Sequence, residues 1–156
     1  MIKETFDYIV RLSNISIWYY IVAIGIGAAY WLRYKRLPMA ALITYLLIVF
    51  SIAVLSRRTS NRPNNFILFK TYKNGIDKQI LTNIILFLPV GFFLAYISRK
   101  LLWIGPLLSL TIELSQLLLH RGMFDADDIL SNTIGEIIGM VIAYILMKVY
   151  KSNKLV

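Results

Sequence analysis

Five of the eight acidic residues in this 156-residue chain lie between Ser109 and Gly139, within some of its most apolar sequence. Clustered carboxylates can accept hydrogen bonds, pair with arginine or bind a cation. A carboxylate inside a membrane-spanning helix costs about 2.5–3.5 kcal/mol on insertion scales, so it usually faces a partner or water. We therefore expect the function of the chain to lie in this stretch. Its polar and charged residues include Ser109, Glu113, Gln116, Arg121, Asp125, Asp127, Asp128, Asn132 and Glu136.

Polar residues recur along one face of the predicted fourth helix, at Ser109, Glu113, Gln116 and His120. Steps of four, three and four residues place them in one row. In a helix of leucine and isoleucine, this row should point into a bundle. Interhelical hydrogen bonds explain Ser109 and Gln116, whereas the costlier Glu113 is a candidate functional residue. His120 is the only histidine, which favours a headgroup-level or capping role over metal binding.

The predicted fifth helix combines acidic and small residues. Asp125, Asp127 and Asp128 precede it; one aspartate is expected as an N-cap, and three exceed what capping needs. Asp128, Asn132 and Glu136 then form a polar row along the helix. The neighbouring row predicts close approach of another helix and offers a surface for a partner. It consists of Ser131, Gly135, Gly139 and Ala143.

A basic loop, Ser56–Gln79, should lie on the same side of the membrane as the aspartates, because two predicted helices separate the two segments. Its Arg57, Arg58 and Arg62 carry planar guanidinium groups that suit carboxylates or phosphates. Two interpretations stay open. The arginines can form a structural salt-bridge network that closes one end of the bundle, or they can line a ligand-binding vestibule.

The predicted third helix carries a polar residue and a proline. Asn83 lies one turn inside the helix, on the side of the two long loops. It could bridge to Glu113 or Asn132, or make a simple interhelical hydrogen bond. Pro89 should kink the helix, which membrane proteins tolerate when neighbours satisfy the freed carbonyl. The preceding Phe66–Phe69 is too apolar for a free linker and is expected at headgroup depth or in the mouth of the bundle.

The composition indicates a membrane protein. The chain is 58% hydrophobic, with a mean hydropathy of +0.68, whereas soluble domains are about 45–50% apolar. The net charge of +9 is better explained by loop charges at lipid headgroups than by nucleic-acid binding, because the basic residues are scattered between apolar spans. There is no cysteine, which excludes disulfides and thiolate chemistry. The lipid bilayer is the expected partner, and no cofactor or metal is expected.

The pattern predicts an all-α fold, a polytopic membrane helical bundle of about five transmembrane helices in a single domain over residues 1–156. A short N-terminal interfacial helix is expected over residues 1–11, where mixed charges argue against a cleaved signal peptide. Basic residues without acidic neighbours flank the helix ends on one side, so we favour the N-terminus outside and the C-terminus inside. The predicted spans are Ile15–Leu32, Leu37–Leu55, Ile80–Ile97, Leu101–Leu119 and Ile129–Val149.

Four motifs follow one another along the chain. They are the arginine and Asn-Asn-Phe loop, Asn83 through Phe87-Leu-Pro89-Val-Gly91, Ser109-x-x-x-Glu113-x-x-Gln116, and Arg121-x-x-x-Asp125-x-Asp-Asp128-x-x-x-Asn132-x-x-Gly135. Together, over about residues 45–145, they resemble the VanZ-like family of bacterial membrane proteins. That family is named after a protein associated with low-level resistance to the glycopeptide teicoplanin. The resemblance implies a multi-pass protein of the bacterial cytoplasmic membrane, with a role in glycopeptide resistance or the cell envelope, and implies no particular reaction. Many members carry glycine where this chain has Glu136.

Three functions remain open. The first is a non-enzymatic protein that binds an amphiphile, such as a lipoglycopeptide or a lipid-linked cell-wall precursor, through the arginines of the basic loop. The second is an enzyme acting on a phosphorylated lipid, with Mg²⁺ held by Glu113 and the three aspartates; the lack of an evident nucleophile disfavours it. The third is an accessory subunit of a larger membrane complex. The candidate site residues are Arg57, Arg58, Arg62, Asn83, Glu113, Gln116, Arg121, Asp125, Asp128 and Asn132.

Overall fold

The computed structural model describes residues 17–57 and 63–153, in which the regular elements are helices joined by loops and no β-strand forms. The helices are α1 (Ile17–Tyr34), α2 (Leu37–Phe50), α3 (Lys78–Ile97), α4 (Ile104–Leu118) and α5 (Ala126–Asn153). A π-helical turn, Ser51–Leu55, continues α2, and 3-10 turns cover Thr71–Asn74 and Arg99–Trp103. The predicted all-α class is thus confirmed, and the described residues contain five α-helices. The predicted N-terminal interfacial helix, Arg58 and Arg62 lie outside the described residues.

Three of the described helical segments are long and apolar enough to cross a membrane, judged by length and composition. They are Leu37–Leu55, Lys78–Ile97 and Ala126–Ser152, whose mean hydropathies lie between 1.8 and 2.4. The apolar α4 is shorter, and the 3-10 turn Arg99–Trp103 precedes it. The large apolar side chains that remain exposed along these helices are those expected to face lipid.

The two longest helices, α3 and α5, run parallel and form the most extensive helix–helix contact of the described chain. Glycines let their backbones touch. A Cβ added at Gly135 would collide with the backbone of Ile84, and one at Gly139 with the backbone of Leu88. Gly91 of α3 lies equally close to the backbone of α5. Small residues at such contacts allow the dispersion interactions that hold helices together in lipid.

The small-residue row of α5 therefore meets α3 of the same chain. Ser131 and Ala143, at its two ends, are fully buried. The predicted close approach of another helix is correct. The prediction that this row offers a surface to a partner is wrong, because α3 already occupies it.

Helices α1 and α2 form an antiparallel hairpin in which Gly27 lies against Thr44. Helix α2 also packs on α3, where the Tyr45 hydroxyl donates a 2.8 Å hydrogen bond to the Leu86 carbonyl. That bond falls one turn before Pro89, which lies inside α3, so a neighbouring helix supplies a donor where the proline disturbs the backbone ladder. The apolar core that joins α2, α3 and α4 contains Leu42, Val49, Val54, Phe87, Val90, Leu94 and Ile112.

Candidate functional site

The polar row of α4 points into the bundle, as its spacing predicts. Ser109, Glu113 and Gln116 are 0%, 2% and 1% exposed, whereas His120, just beyond the helix end, is exposed. Each buried member has a polar partner. Ser109 Oγ accepts a 2.7 Å hydrogen bond from Asn132 Nδ2 on α5. The expected interhelical role of Ser109 is therefore confirmed, and Asn132 is its partner.

Glu113 and Asp125 together organise the start of α5. The Asp125 backbone N–H donates to Glu113 Oε2 at 2.9 Å, and both residues are almost fully buried. Asp125 Oδ1 in turn accepts from the Asp127 backbone N–H at 2.9 Å, which is the N-cap contact expected of one aspartate. Because this cap is Asp125, α5 starts at Ala126, one turn earlier than the predicted Ile129.

The loop before α3 is tied to this cap by backbone and side-chain bonds. The Asn65 N–H donates to the Phe124 carbonyl at 2.8 Å, and the Ala126 N–H donates to the Asn65 carbonyl at 2.9 Å. The Asn65 side chain also donates to Asp125 Oδ1 at 2.8 Å, and Asn64 Oδ1 accepts from the Phe124 N–H. These two asparagines belong to the Asn-Asn-Phe loop, but no spacing rule linked them to partners about 60 residues away.

Asp127 holds the next part of the same loop. Its two carboxylate oxygens accept from the backbone N–H groups of Phe69, at 2.5 Å, and Thr71, at 2.7 Å. Phe69 has a φ of +65°, a left-handed conformation that costs a non-glycine residue about 1–3 kcal/mol. Asp127 thus stabilises a strained turn, and the side chains of Phe66–Phe69 stay exposed above the site. Neither Thr71 nor this turn was predicted.

Asp128 faces α3. The Gln79 side-chain amide donates to both of its oxygens, at 2.8 and 3.1 Å. Asn83 is 8% exposed, and its side-chain amide faces the same carboxylate without forming a hydrogen bond of standard geometry to the described residues. Of the two alternatives for Asn83, the bridge to Glu113 or Asn132 does not form among the described residues, since Glu113 accepts from the Asp125 N–H and Asn132 donates to Ser109. Asn83 lies beside Asp128 instead.

Two arginines meet where α2 and α4 end. Arg57 Nη1 donates to Gln116 Oε1 at 3.3 Å, and Arg121 Nη1 donates to the Leu55 carbonyl at 2.6 Å. Gln116 completes the junction by donating to the Ala53 carbonyl at 3.2 Å. The Arg57 guanidinium also attracts the buried carboxyl groups of the acidic cluster through space.

Gly122 makes room for this junction. Its φ is +114°, a conformation that L side chains rarely adopt, and a Cβ there would come within 3.0 Å of Gln116 Oε1 and 3.2 Å of Arg57 Cδ. Each arginine makes one hydrogen bond to the described part of the chain, while a guanidinium carries five N–H donors. Within the described part of the chain, both arginines therefore keep N–H donors that no protein acceptor occupies.

Glu136 lies deeper, about one-third along α5, and is 1% exposed. Its carboxylate lies against the first turn of α4, where it meets the Gly105 backbone and where a Cβ at Gly105 would collide with it. Its Oε1 has no partner among the described residues. A carboxylate at a helix N-terminus is electrostatically favourable, which gives Glu136 a local role apart from the arginine junction.

The acidic residues are thus bonded to donors of the protein itself. Asp125, Asp127 and Asp128 accept from backbone or amide N–H groups, and Glu113 accepts from a backbone N–H. Over the described residues, no three Asp, Glu or His side chains are placed to hold a metal ion. The arrangement is a hydrogen-bonded network that orders one end of the bundle and leaves cationic donors at its edge.

These features define a helical membrane protein with a buried polar cluster at one end of its bundle. The VanZ/LLP1 family profile matches residues 37–147, so the chain belongs to that family. The match covers α2 to α5 and includes every described residue of the cluster. No curated protein and no solved structure matches the chain.

Proposed function

We propose that this protein is a non-catalytic component of the bacterial cell envelope that binds an anionic amphiphile at the arginine junction. The proposal is supported by a difference in hydrogen bonding between the aspartates and the two arginines. The aspartates are occupied by N–H donors, whereas Arg57 and Arg121 each spend one donor on a described residue. The remaining N–H donors of these two arginines suit an anionic ligand, because guanidinium groups bind phosphate or carboxylate in a bidentate manner.

The acidic network supports this site without touching the ligand. Glu113 and Asp125 hold the start of α5, and Asp127 holds the loop that runs back towards α3. Arg58 and Arg62, which precede that loop, are proposed as further cationic groups at the same mouth. Asn83, whose buried Nδ2 makes no hydrogen bond of standard geometry to the described residues, is proposed as a polar group available to the ligand on the α3 side.

The proposed ligand is a lipoglycopeptide or a lipid-linked cell-wall precursor. Both combine a polar head with a hydrocarbon chain, and membership of the VanZ/LLP1 family favours a ligand connected with teicoplanin-type resistance. We propose that all five helices span the cytoplasmic membrane, with the N-terminus outside and the C-terminus inside. That orientation places the arginine junction on the outer face, where such ligands occur.

The proposal is tested by growth under teicoplanin of cells that express the protein at controlled levels. Arg57→Gln and Arg121→Gln, singly and combined, are expected to abolish any shift in resistance, because they remove the anion-binding donors. Arg33→Gln is the matched control for loss of one positive charge, because Arg33 lies in the last turn of α1, at the end of the bundle opposite to the arginine junction. Resistance that survives the double substitution, with normal membrane insertion, would contradict the proposal.

A purified preparation gives a second measure. Binding of a fluorescent lipid-linked precursor to the protein in nanodiscs should weaken in the same two variants and stay unchanged in Arg33→Gln. Loss of one bidentate contact corresponds to roughly 10-fold in affinity, or about 1.4 kcal/mol. Equal affinity of the wild-type protein and the double variant would also contradict the proposed site.

A further inference from the structure

A groove runs between α2 and α4 on the membrane-facing side of the bundle. Helix α4 packs against the π-helical turn Ser51–Leu55 that continues α2, and the groove lies beside this contact. The space between the two helices measures about 290 Å³. It is lined by Ile43, Leu46, Leu47, Phe50, Leu108, Thr111 and Ile112.

The lining of the groove is entirely apolar in character. Its one hydroxyl, Thr111 Oγ1, already donates a hydrogen bond to the Leu107 carbonyl at 2.8 Å. An apolar occupant would therefore leave no hydrogen-bonding group of the groove without a partner. Pockets for whole small molecules measure about 300–1,000 Å³, and this groove lies at the lower limit of that range. Its size and chemistry suit a single hydrocarbon chain rather than a complete polar ligand.

The upper end of the groove leads to the arginine junction. Phe50 lines the groove, and Arg57 follows it by seven residues, just after the π-helical turn Ser51–Leu55. On the other wall, Gln116 follows Ile112 by one turn and bonds to Arg57. A molecule whose chain lies in the groove therefore has its head beside two guanidinium groups.

We infer that this groove holds the hydrocarbon chain of the proposed amphiphile, and that this amphiphile is a phosphate-headed lipid whose phosphate binds Arg57 and Arg121. The inference rests on the proposed amphiphile site and adds the binding site of its chain. Charge complementarity determines the occupant. Because the apolar groove ends at two cationic side chains, it favours an anionic lipid over a neutral one. Transfer of a chain from bilayer to groove gains little hydrophobic free energy, since lipid tails are equally apolar. The arginines thus contribute most of the binding affinity, whereas the groove orients the hydrocarbon chain and discriminates between lipids by the shape of their chains.

The test uses the full-length protein in nanodiscs and a lysophosphatidic acid that carries a photoactivatable group in its chain. Thr111→Trp fills the groove from an exposed position, and Leu114→Trp, equally exposed on the same helix but outside the groove, is the matched control. Crosslinking should fall roughly fivefold or more in Thr111→Trp and stay unchanged in the control. In the wild-type protein, mass spectrometry should locate the crosslinks on α2 and α4 at the groove.

The outcomes separate the groove from the arginine site. Arg57→Gln should lower crosslinking of this probe and also lower the binding of glycerol phosphate, which has a head and no chain. If Arg57→Gln weakens binding while Thr111→Trp does not, the groove is refuted and the arginine site stands. Wild-type crosslinks that fall outside the groove refute the inference even if Thr111→Trp does not fold. If the wild-type protein binds neither probe, both proposals fail.

Discussion

Substitution of Asp127 by asparagine should release the loop before α3 from the bundle. The carboxylate accepts the backbone N–H groups of Phe69 and Thr71 on separate oxygens. An asparagine keeps one acceptor oxygen and turns an NH₂ group towards the other N–H, so one bond to a charged acceptor is lost. Such bonds contribute about 1.5–3 kcal/mol. The opening equilibrium of this loop should therefore rise roughly 10- to 150-fold, and the left-handed conformation of Phe69 favours opening further.

Hydrogen exchange of the protein in nanodiscs measures this effect at the two amides concerned. Faster exchange is expected at Phe69 and Thr71, while the middle of α3 keeps its protection. Asp77→Asn is the control, since Asp77 caps α3 locally through the Ile80 N–H at 2.9 Å and should affect only the first turn of that helix. Unchanged exchange at Phe69 and Thr71 in the Asp127 variant would refute the assignment of Asp127 as the anchor of this loop.

Three further changes test the packing and the polar cluster. Gly139→Leu should separate α3 from α5 and lower the free energy of unfolding in detergent by about 1–3 kcal/mol. Gly25→Leu is the control, because Gly25 has open space around it, and it should leave stability unchanged. Equal melting temperatures of the two variants would argue against the close contact of α3 with α5. Glu113→Gln should preserve both the free energy of unfolding and growth under teicoplanin, because it keeps an acceptor for the Asp125 N–H. Glu113→Leu removes that acceptor and should lower the free energy of unfolding by about 1–3 kcal/mol. Loss of function in a stable glutamine variant would instead favour proton transfer by Glu113. Asn83→Leu should leave the free energy of unfolding equal to that of the wild type or higher by about 1 kcal/mol, since the buried amide that it removes makes no hydrogen bond of standard geometry to the described residues. Marked destabilisation would show that the amide is bonded to Asp128.

The helices and the direction of the α4 polar row could be predicted because they depend on local patterns. Runs of apolar residues determine where a chain can span lipid, and the spacing of Ser109, Glu113 and Gln116 determines that they share a face. The N-cap aspartate follows from the same kind of short-range rule. Only its position was uncertain, because three aspartates within four residues can all serve as caps.

The partners of those polar groups could not be predicted. Asn65 bonds to Asp125 across 60 residues, and Gln79 bonds to Asp128 across 49. No periodicity relates such positions. The partner of Asn83 could not be predicted for the same reason: Glu113 accepts from the Asp125 N–H and Asn132 donates to Ser109, and only the folded chain brings these groups together.

By itself, the amino-acid sequence determined that this protein is an all-helical membrane protein and that its polar chemistry is concentrated near the start of α5. It also determined the small-residue row, because small side chains at four-residue spacing leave a flat helix surface. Only the tertiary structure decided that α3 covers this row, that N–H donors of the protein occupy the aspartates, and that Arg57 and Arg121 meet at the end of an apolar groove. The physical reason is that composition and periodicity act within one helix, whereas hydrogen-bond partners and cavities arise between segments that the chain brings together only on folding.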